Sequence, residues 1–449
     1  MTIDGARSRR LLSVTALVAC LLAAGPRFST TADSQQSVFR SGVDLVAVDV
    51  QVVDRDGHPI GNLAANNFHV WINGQERKVV SADHVEYPLA SARSITQLGP
   101  DAPNVILRSD VPQITGRVIV IAIDEMSFTA QALPAVNQTI RKFIASLPPD
   151  DVVATYPYPF GTGRVDLTHF HTAAGVQLGK IQGLRPTMPT SEFSLTTSEA
   201  IDIFANDSSV ESAVYERECL VPSKGQCFDK DSGTVASGGA QGSCSRRIKA
   251  IADEFVGTME SVSAISFAGL RDLLQSLPVL SGPKTVVLIS AGLTASDRAG
   301  GRPDVQGMMT QAGKLAAAAD ASLYVLHFDT HFTDAGAASA AAMQVNPCQS
   351  RMSNGITHES RDADLESYGL QRVAAEAGGD YIRIQAGTGE IALNRVLTET
   401  SAYYLLGVQP EPVDRDGRAH FIRVQTVGVK GASLRARKEV TIPRGTNGG

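Results

Sequence analysis

The first strongly patterned stretch of the chain alternates apolar and polar side chains. Valines occupy every second position across residues 46–52, which is typical of a strand with one buried face. The alternation returns at 68–72, and the Asn73-Gly74 pair that follows is a strong hairpin signal. The pattern predicts a small antiparallel β module over residues 43–87, with its last strand running from Glu76 to about Tyr87.

A different pattern begins at Arg117. The run after this residue is continuously apolar, as in a strand buried on both faces of a parallel sheet, and similar runs recur at 285–290 and 322–328. Segments with helical spacing of apolar residues lie between these runs. The alternation predicts an α/β unit over residues 117–400, built on a doubly wound, mostly parallel sheet. Antiparallel β structure is predicted again at 401–443.

The α/β unit has a long insertion, predicted over residues 190–277. Helical spacing covers 194–217 and 246–277, and a Gly/Ser-rich segment at 222–245 separates them. We therefore expect two extended helices joined by a loop and stapled by a disulfide. Residues 88–116 are interpreted as a linker between the first β module and the α/β unit.

The two flanking β segments are each too small to hide much apolar surface, since two- or three-stranded sheets are marginal alone. Because both segments bury too little apolar surface alone, pairing with each other would stabilise both. The sequence therefore predicts that the segments at 43–87 and 403–441 lie together, as one β layer beside the α/β unit.

Residues 1–32 have the features of a signal peptide. Three arginines precede an apolar stretch at 11–24, which is shorter than the roughly 20 residues that span a bilayer. The predicted mature chain has no transmembrane span and is exported to the periplasm or the extracellular space. An alternative is a lipoprotein anchored through Cys20, because the residues at 17–20 resemble a lipobox.

Cysteine usage agrees with export. An even number of cysteines follows Cys20, which suggests two disulfides in an oxidising compartment with three connectivities open. The natural local pair joins Cys219 to Cys227 and leaves Cys244 with Cys348. The spacings match no zinc module.

Charge excludes one class of partner. The net charge is −6 and no basic block occurs, whereas phosphate binding needs clustered Lys and Arg. We therefore expect no nucleic acid partner.

Several stretches together carry a resemblance to a known family. They read VDLVAVDVQVVDRDG with NGQERKVV, VIVIAIDEMS, FIASLPPDDVVA, LSGPKTVVLISAGL, and VAAEAGGDYIRI with SAYYLLGVQP. In this order they resemble the von Willebrand factor A-related family described from Acidobacteria. The resemblance implies a von Willebrand factor A-like, Rossmann-type fold, export from the cell, and no established enzymatic activity.

The resemblance also points to a degenerate metal site. The A domain typically binds a divalent cation through Asp-x-Ser-x-Ser, and the matching segment here starts at Asp124 but has Met126 and Phe128 in the serine positions. Ser127 is one place off the pattern, and Ala291 replaces a second Asp. Because Mg²⁺ demands near-ideal octahedral oxygen coordination, the sequence predicts weak or no Mg²⁺ binding and no cofactor.

The rival chemistry lies at His327, Asp329 and His331. Alternate residues of an extended chain point the same way, so these three could bind a transition metal and serve a metal-dependent hydrolase. The turns at 54–57 and 414–417 do not continue as calcium-binding EF-hands and are interpreted as hairpin turns. The favoured function is non-enzymatic, an adhesion-type module in the cell envelope that binds an unknown protein or envelope ligand.

Overall fold

The computed structural model describes most of the chain after the predicted signal peptide. Its described residues are 45–87, 116–186, 192–236, 242–280, 282–330, 347–348, 355–385 and 388–444, with side chains of 355–359 left out. The predicted signal peptide at 1–32, Cys20, His331 and all but the last residue of the predicted linker lie outside them. None of the described helices is both long and apolar enough to cross a membrane. The described residues belong to one compact unit.

A six-stranded sheet lies at the centre of the α/β unit. Its strands are β5 (Val118–Asp124), β6 (Val152–Tyr158), β7 (Val165–Thr168), β10 (Lys284–Ser290), β11 (Ala321–Phe328) and β12 (Tyr381–Ile384). They lie in the order β12-β11-β10-β5-β6-β7. All neighbours are parallel except β7, which runs antiparallel to β6. The central strands β5 and β10 are buried at every position, because helices cover both faces.

Each face of the sheet packs against its own set of helices. One face contacts α1 (Leu133–Ser146), α2 (His171–Gln177) and α8 (Gly389–Glu399). The other contacts the second half of α5 (Gly242–Ser276), α6 (Gln306–Ala318) and α7 (Gly355–Glu376). The predicted α/β class with a doubly wound, mostly parallel sheet is confirmed.

The flanking β segments pair with each other, as predicted. The amino-terminal strands are β1 (Val46–Val53), β2 (Phe68–Ile72), β3 (Gln75–Arg77) and β4 (Val79–Glu86). The carboxyl-terminal strands are β13 (Ala402–Val408), β14 (Ala419–Thr426), β15 (Ser433–Ala436) and β16 (Glu439–Thr441). Strand β13 lies between β1 and β4, and β14 pairs with β2, all antiparallel.

The predicted single β layer is wrong, because these strands form two sheets. Their orders are β15-β1-β13-β4 and β16-β14-β2-β3, and the inner faces share one apolar core. The strand predicted from Glu76 to Tyr87 breaks at Lys78, so β3 stays with β2 while β4 joins the other sheet. The last strand segment likewise breaks after Ala436. Each break carries the chain from one layer of the sandwich to the other.

The insertion is more divided than the sequence predicted. Its first helical segment forms α3 (Thr197–Phe204) and α4 (Ser208–Cys219), and Asn206 takes a left-handed conformation at φ 63° between them. The predicted loop contains a hairpin, β8 (Leu220–Ser223) and β9 (Gln226–Asp229), before α5 begins. The helices of the insertion enclose an apolar core of their own.

Two disulfides are present, as predicted, but the favoured pairing is wrong. Cys219 bonds Cys244, and Cys227 bonds Cys348. Cys219 ends α4 and Cys244 lies in the first turn of α5, and both are buried in the core of the insertion. Helix packing therefore overrides the short spacing between Cys219 and Cys227.

Candidate functional site

The candidate site lies where the two central strands of the sheet end. Asp124 is the last residue of β5 and Ser290 the last of β10, its neighbour in the sheet. From β5 the chain continues to β6 on one side, and from β10 to β11 on the other. A crevice opens at such a switch point, and ligands of doubly wound proteins bind there.

Asp124 is held at this edge by hydrogen bonds from hydroxyls and from the backbone. Its side chain is buried and accepts from Ser266 Oγ at 2.8 Å, from Ser290 Oγ at 3.2 Å and from the Met126 N–H at 3.2 Å. Three separate segments therefore aim donors at one carboxylate.

Desolvation by burial raises the pKa of Asp124 to about 6, although the hydrogen bonds from Ser266 and Ser290 lower it. No Lys, Arg or His forms an ion pair with Asp124 within the part of the chain that the structure describes. Above pH 6 the carboxylate is therefore charged, buried and without a counter-ion from those residues.

Ser127, the second residue of the predicted degenerate site, is occupied elsewhere. Its hydroxyl donates to the Asp124 carbonyl and accepts from the Ala291 N–H, both at 2.9 Å. Phe128 is fully buried in the sheet core. Neither Ser127 nor Phe128 therefore has a side-chain oxygen free beside the Asp124 carboxylate.

The long helix α5 brings two more hydroxyls to this edge. Ser263 and Ser266 lie one turn apart on it, and further along the helix Leu270 packs on the sheet. Gly269 permits the close approach, because a Cβ there would stand 2.8 Å from Tyr158 Cβ. Ser266 is not predictable from the sequence, since nothing in a helical serine 142 residues away indicates a bond to Asp124.

An ion pair forms the opposite wall. Arg185 Nη2 donates to the buried Glu366 Oε1 at 2.7 Å. Glu366 reaches this position past Gly292, where a Cβ would lie 2.9 Å from the Cβ of Glu366. Together with the serines and Asp124 these residues line a cavity of about 40 Å³, room for about three water molecules.

Ser263 differs from its neighbours in the cavity. Only 3% of the residue is exposed, yet its hydroxyl has no hydrogen-bond partner among the described residues. Its oxygen is not among the fully buried polar atoms that lack a partner, so it faces the cavity. It is therefore an acceptor and donor that a ligand in the cavity can use.

Glu125 anchors two loops beside the cavity. Its side chain accepts from the Phe160 N–H at 3.2 Å, and its carbonyl accepts from the Leu184 N–H at 2.7 Å. Both anchored residues have exposed hydrophobic side chains.

The rival cluster is not assembled by the described residues. His327 is buried, and its ring nitrogens contact Tyr381 Oη at 2.7 Å and the Ala291 carbonyl at 3.0 Å. Burial lowers the pKa of His327. Asp329 pairs with Arg383 at 2.8 Å, and His331 lies outside the described residues. Both nitrogens of His327 are thus already used by the protein.

One group within the described ranges has carboxylates and a histidine close enough to share a metal. Asp54, Asp56 and His58 lie in the turn after β1, on the surface. Asp54 Oδ1 there accepts the backbone N–H groups of the other two at 2.9 Å. These bonds account for the arrangement as a turn, which is how the sequence was interpreted.

Comparison with protein-family models and with curated proteins finds no match to this chain. Its function is therefore inferred from the site.

Proposed function

We propose that this protein is an exported, non-enzymatic binding module that engages a protein of the cell envelope through the cavity at the carboxyl edge of its sheet. The observation that carries the proposal is Asp124, a buried carboxylate without a cationic partner among the described residues, facing a cavity at the switch point. A buried charge costs free energy unless it is compensated. A partner group that compensates it recovers that cost on binding.

The composition of the cavity favours binding over catalysis. Its lining holds serines, Asp124 and the Arg185–Glu366 pair, and no histidine or cysteine is among the described lining residues. The hydroxyl of Ser127 donates to a carbonyl and has no base beside it. That of Ser266 donates to Asp124, but no imidazole is among the described lining residues to activate it.

Fold and covalent chemistry add support for an A-domain-like module outside the cytoplasm. The strand order, with one antiparallel edge strand, is compatible with the von Willebrand factor A-like fold that the resemblance implies. Two disulfides favour an oxidising compartment, the periplasm or the extracellular space. We propose that any partner binds without Mg²⁺, because Ser127 is engaged by the backbone and Met126 and Phe128 stand where the A-domain pattern has serines.

Capture from an extract of the native envelope tests the proposal. Ser263→Leu places an apolar side chain in the cavity, and Ser261→Leu makes the same change at an exposed position of the same helix. We expect wild type and Ser261→Leu to retain the same partner, with or without chelator, and Ser263→Leu to retain at least about tenfold less.

Two results would contradict it. Equal capture by the two leucine variants would show that the cavity is not used. Capture that a chelator abolishes and Mg²⁺ restores would show a cation-dependent site instead. Circular dichroism and thermal melting of both variants verify that each is folded.

A further inference from the structure

We infer that the cavity beside Asp124 receives a primary ammonium group on an alkyl chain, presented as a lysine side chain of the protein partner. This inference rests on the proposed function and names the group that the site recognises. It follows from the charge, the walls and the free hydrogen-bonding capacity of the cavity.

The charges in the cavity leave one negative charge uncompensated. Arg185 contacts Glu366 at 2.7 Å, so this pair contributes little net charge. Asp124 has only hydroxyl and N–H donors around it in the described structure. A carboxylate ligand would face this like charge at short range, whereas a cation would neutralise it.

The walls suit the stem of a lysine. Met126, Met259 and Val262 supply apolar surface beside the polar groups of the cavity. A lysine buries its methylenes against such surface and carries its charge at the tip. The cavity volume of about 40 Å³ matches a compact end group better than a planar guanidinium with its five donors.

Hydrogen-bonding capacity is also complementary. An ammonium group has three donors and no acceptor. Asp124 is a charged acceptor at the cavity, and Ser263 Oγ has no partner among the described residues although the residue is 3% exposed. A ligand that only donates can therefore bond the free lone pairs of the Ser263 hydroxyl and the carboxylate together.

A methyl-detected titration tests the inference on the intact protein. Met126 and Met259 line the cavity, whereas Met308 lies on α6 away from it, so ¹³C-methyl methionine resonances report occupancy locally. The probes are butylammonium chloride, butanol and sodium butyrate. We expect saturable shifts of the two lining methyls with butylammonium alone.

Matched variants locate the charge that matters. Asp124→Asn removes the proposed counter-ion, and Asp253→Asn makes the same change at an exposed carboxyl of α5 that does not line the cavity. Butylammonium affinity should fall at least about tenfold in the first variant and stay within about twofold in the second. Equal affinities in wild type and Asp124→Asn would overturn the inference, whatever the folding of other variants.

The same titration also tests whether the cavity binds other ligands. Shifts of the lining methyls with butyrate would assign the site to a carboxylate and overturn the inference, and so would Mg²⁺ that displaces butylammonium at micromolar concentration. Acetylation of lysines in the envelope extract should abolish capture. Capture that survives acetylation but fails with Ser263→Leu would overturn the lysine while leaving the proposed function standing.

Discussion

The two ends of strand β5 differ in whether a buried carboxylate there is paired with a cation. At its start, Arg117 meets Asp151 through Nη2 at 2.6 Å and also donates to the Leu397 carbonyl at 2.8 Å, with both charged side chains about 3% exposed. At its end, Asp124 is equally buried and receives hydroxyl and N–H donors but no cation from the described residues.

Near the amino end of β5, a second buried carboxylate is also paired with cations. Glu399 of α8 is fully buried between Arg395 at 2.8 Å and Arg435 of β15 at 3.1 Å, which ties the β-sandwich to the α/β unit. Compensated charges therefore lie where parts of the fold are joined. Asp124, which has no such cation among the described residues, lies where a cavity opens, and this is the arrangement expected of a group reserved for a ligand.

The largest effect is expected at the compensated end. Arg117→Met should lower the free energy of unfolding by about 3–5 kcal/mol, because it leaves Asp151 buried without its partner. Urea denaturation measures the loss. Arg164→Met, which breaks the half-exposed pair with Asp166, is the control and should cost less than about 1 kcal/mol. Similar losses in both variants would show that burial of the pair does not matter.

The second largest effect should be confined to the insertion and should leave the amino end of β5 unchanged. Replacing Cys227 and Cys348 by serine removes a link across 121 residues and should cost about 2–4 kcal/mol in the insertion. Hydrogen exchange should rise in β8, β9 and the first half of α5, which leads to Ser266. Protection around Arg117 should stay unchanged, and a uniform rise over the whole sheet would disprove the local character of this link.

The smallest expected effect is a gain rather than a loss of stability, on replacement of Asp124. The folded state holds the proton of Asp124 more tightly than the unfolded chain does, since its pKa is raised from 3.8 to about 6. Stability therefore falls as pH rises from about 4 to 6, by at most about 3 kcal/mol, and stays at that lower level above pH 6. Asp124→Asn should remove this fall.

Urea denaturation of Asp124→Asn at pH 4 and pH 8 measures it. The free energy of unfolding of the variant, relative to that of wild type, should be higher at pH 8 than at pH 4. Asp151→Asn is the matched comparison and should destabilise the protein at pH 8, because it unpairs Arg117. A loss at pH 8 in both variants would show that Asp124 is a structural charge like Asp151.

Much of the fold follows from the spacing of apolar residues. The runs at β5, β10 and β11 identified buried parallel strands, because a strand covered on both faces must be apolar throughout. The crossings at Lys78 and after Ala436 left no such mark, since both halves of each segment retain β character. The partner of a cysteine depends on how helices pack, which spacing does not encode.

The site was predictable only in part. Asp124 stands out because it ends an apolar run at the edge where parallel strands open. Ser263 and Ser266 are ordinary polar residues of an amphipathic helix, and Arg185 and Glu366 lie 181 residues apart. Tertiary packing alone brings them to one cavity.

The sandwich combines strands from both ends of the described chain, so strands that are synthesised early cannot complete their sheet until a late one is made. Tyr404 of β13 donates to the Ile60 carbonyl across 344 residues, and β13 is the strand between β1 and β4. At synthesis rates of 5–20 residues per second, β1 and β4 wait roughly 20–70 s for this partner. During that interval their edges are open to pairing with other chains. The nascent chain therefore needs protection from aggregation until β13 has been synthesised.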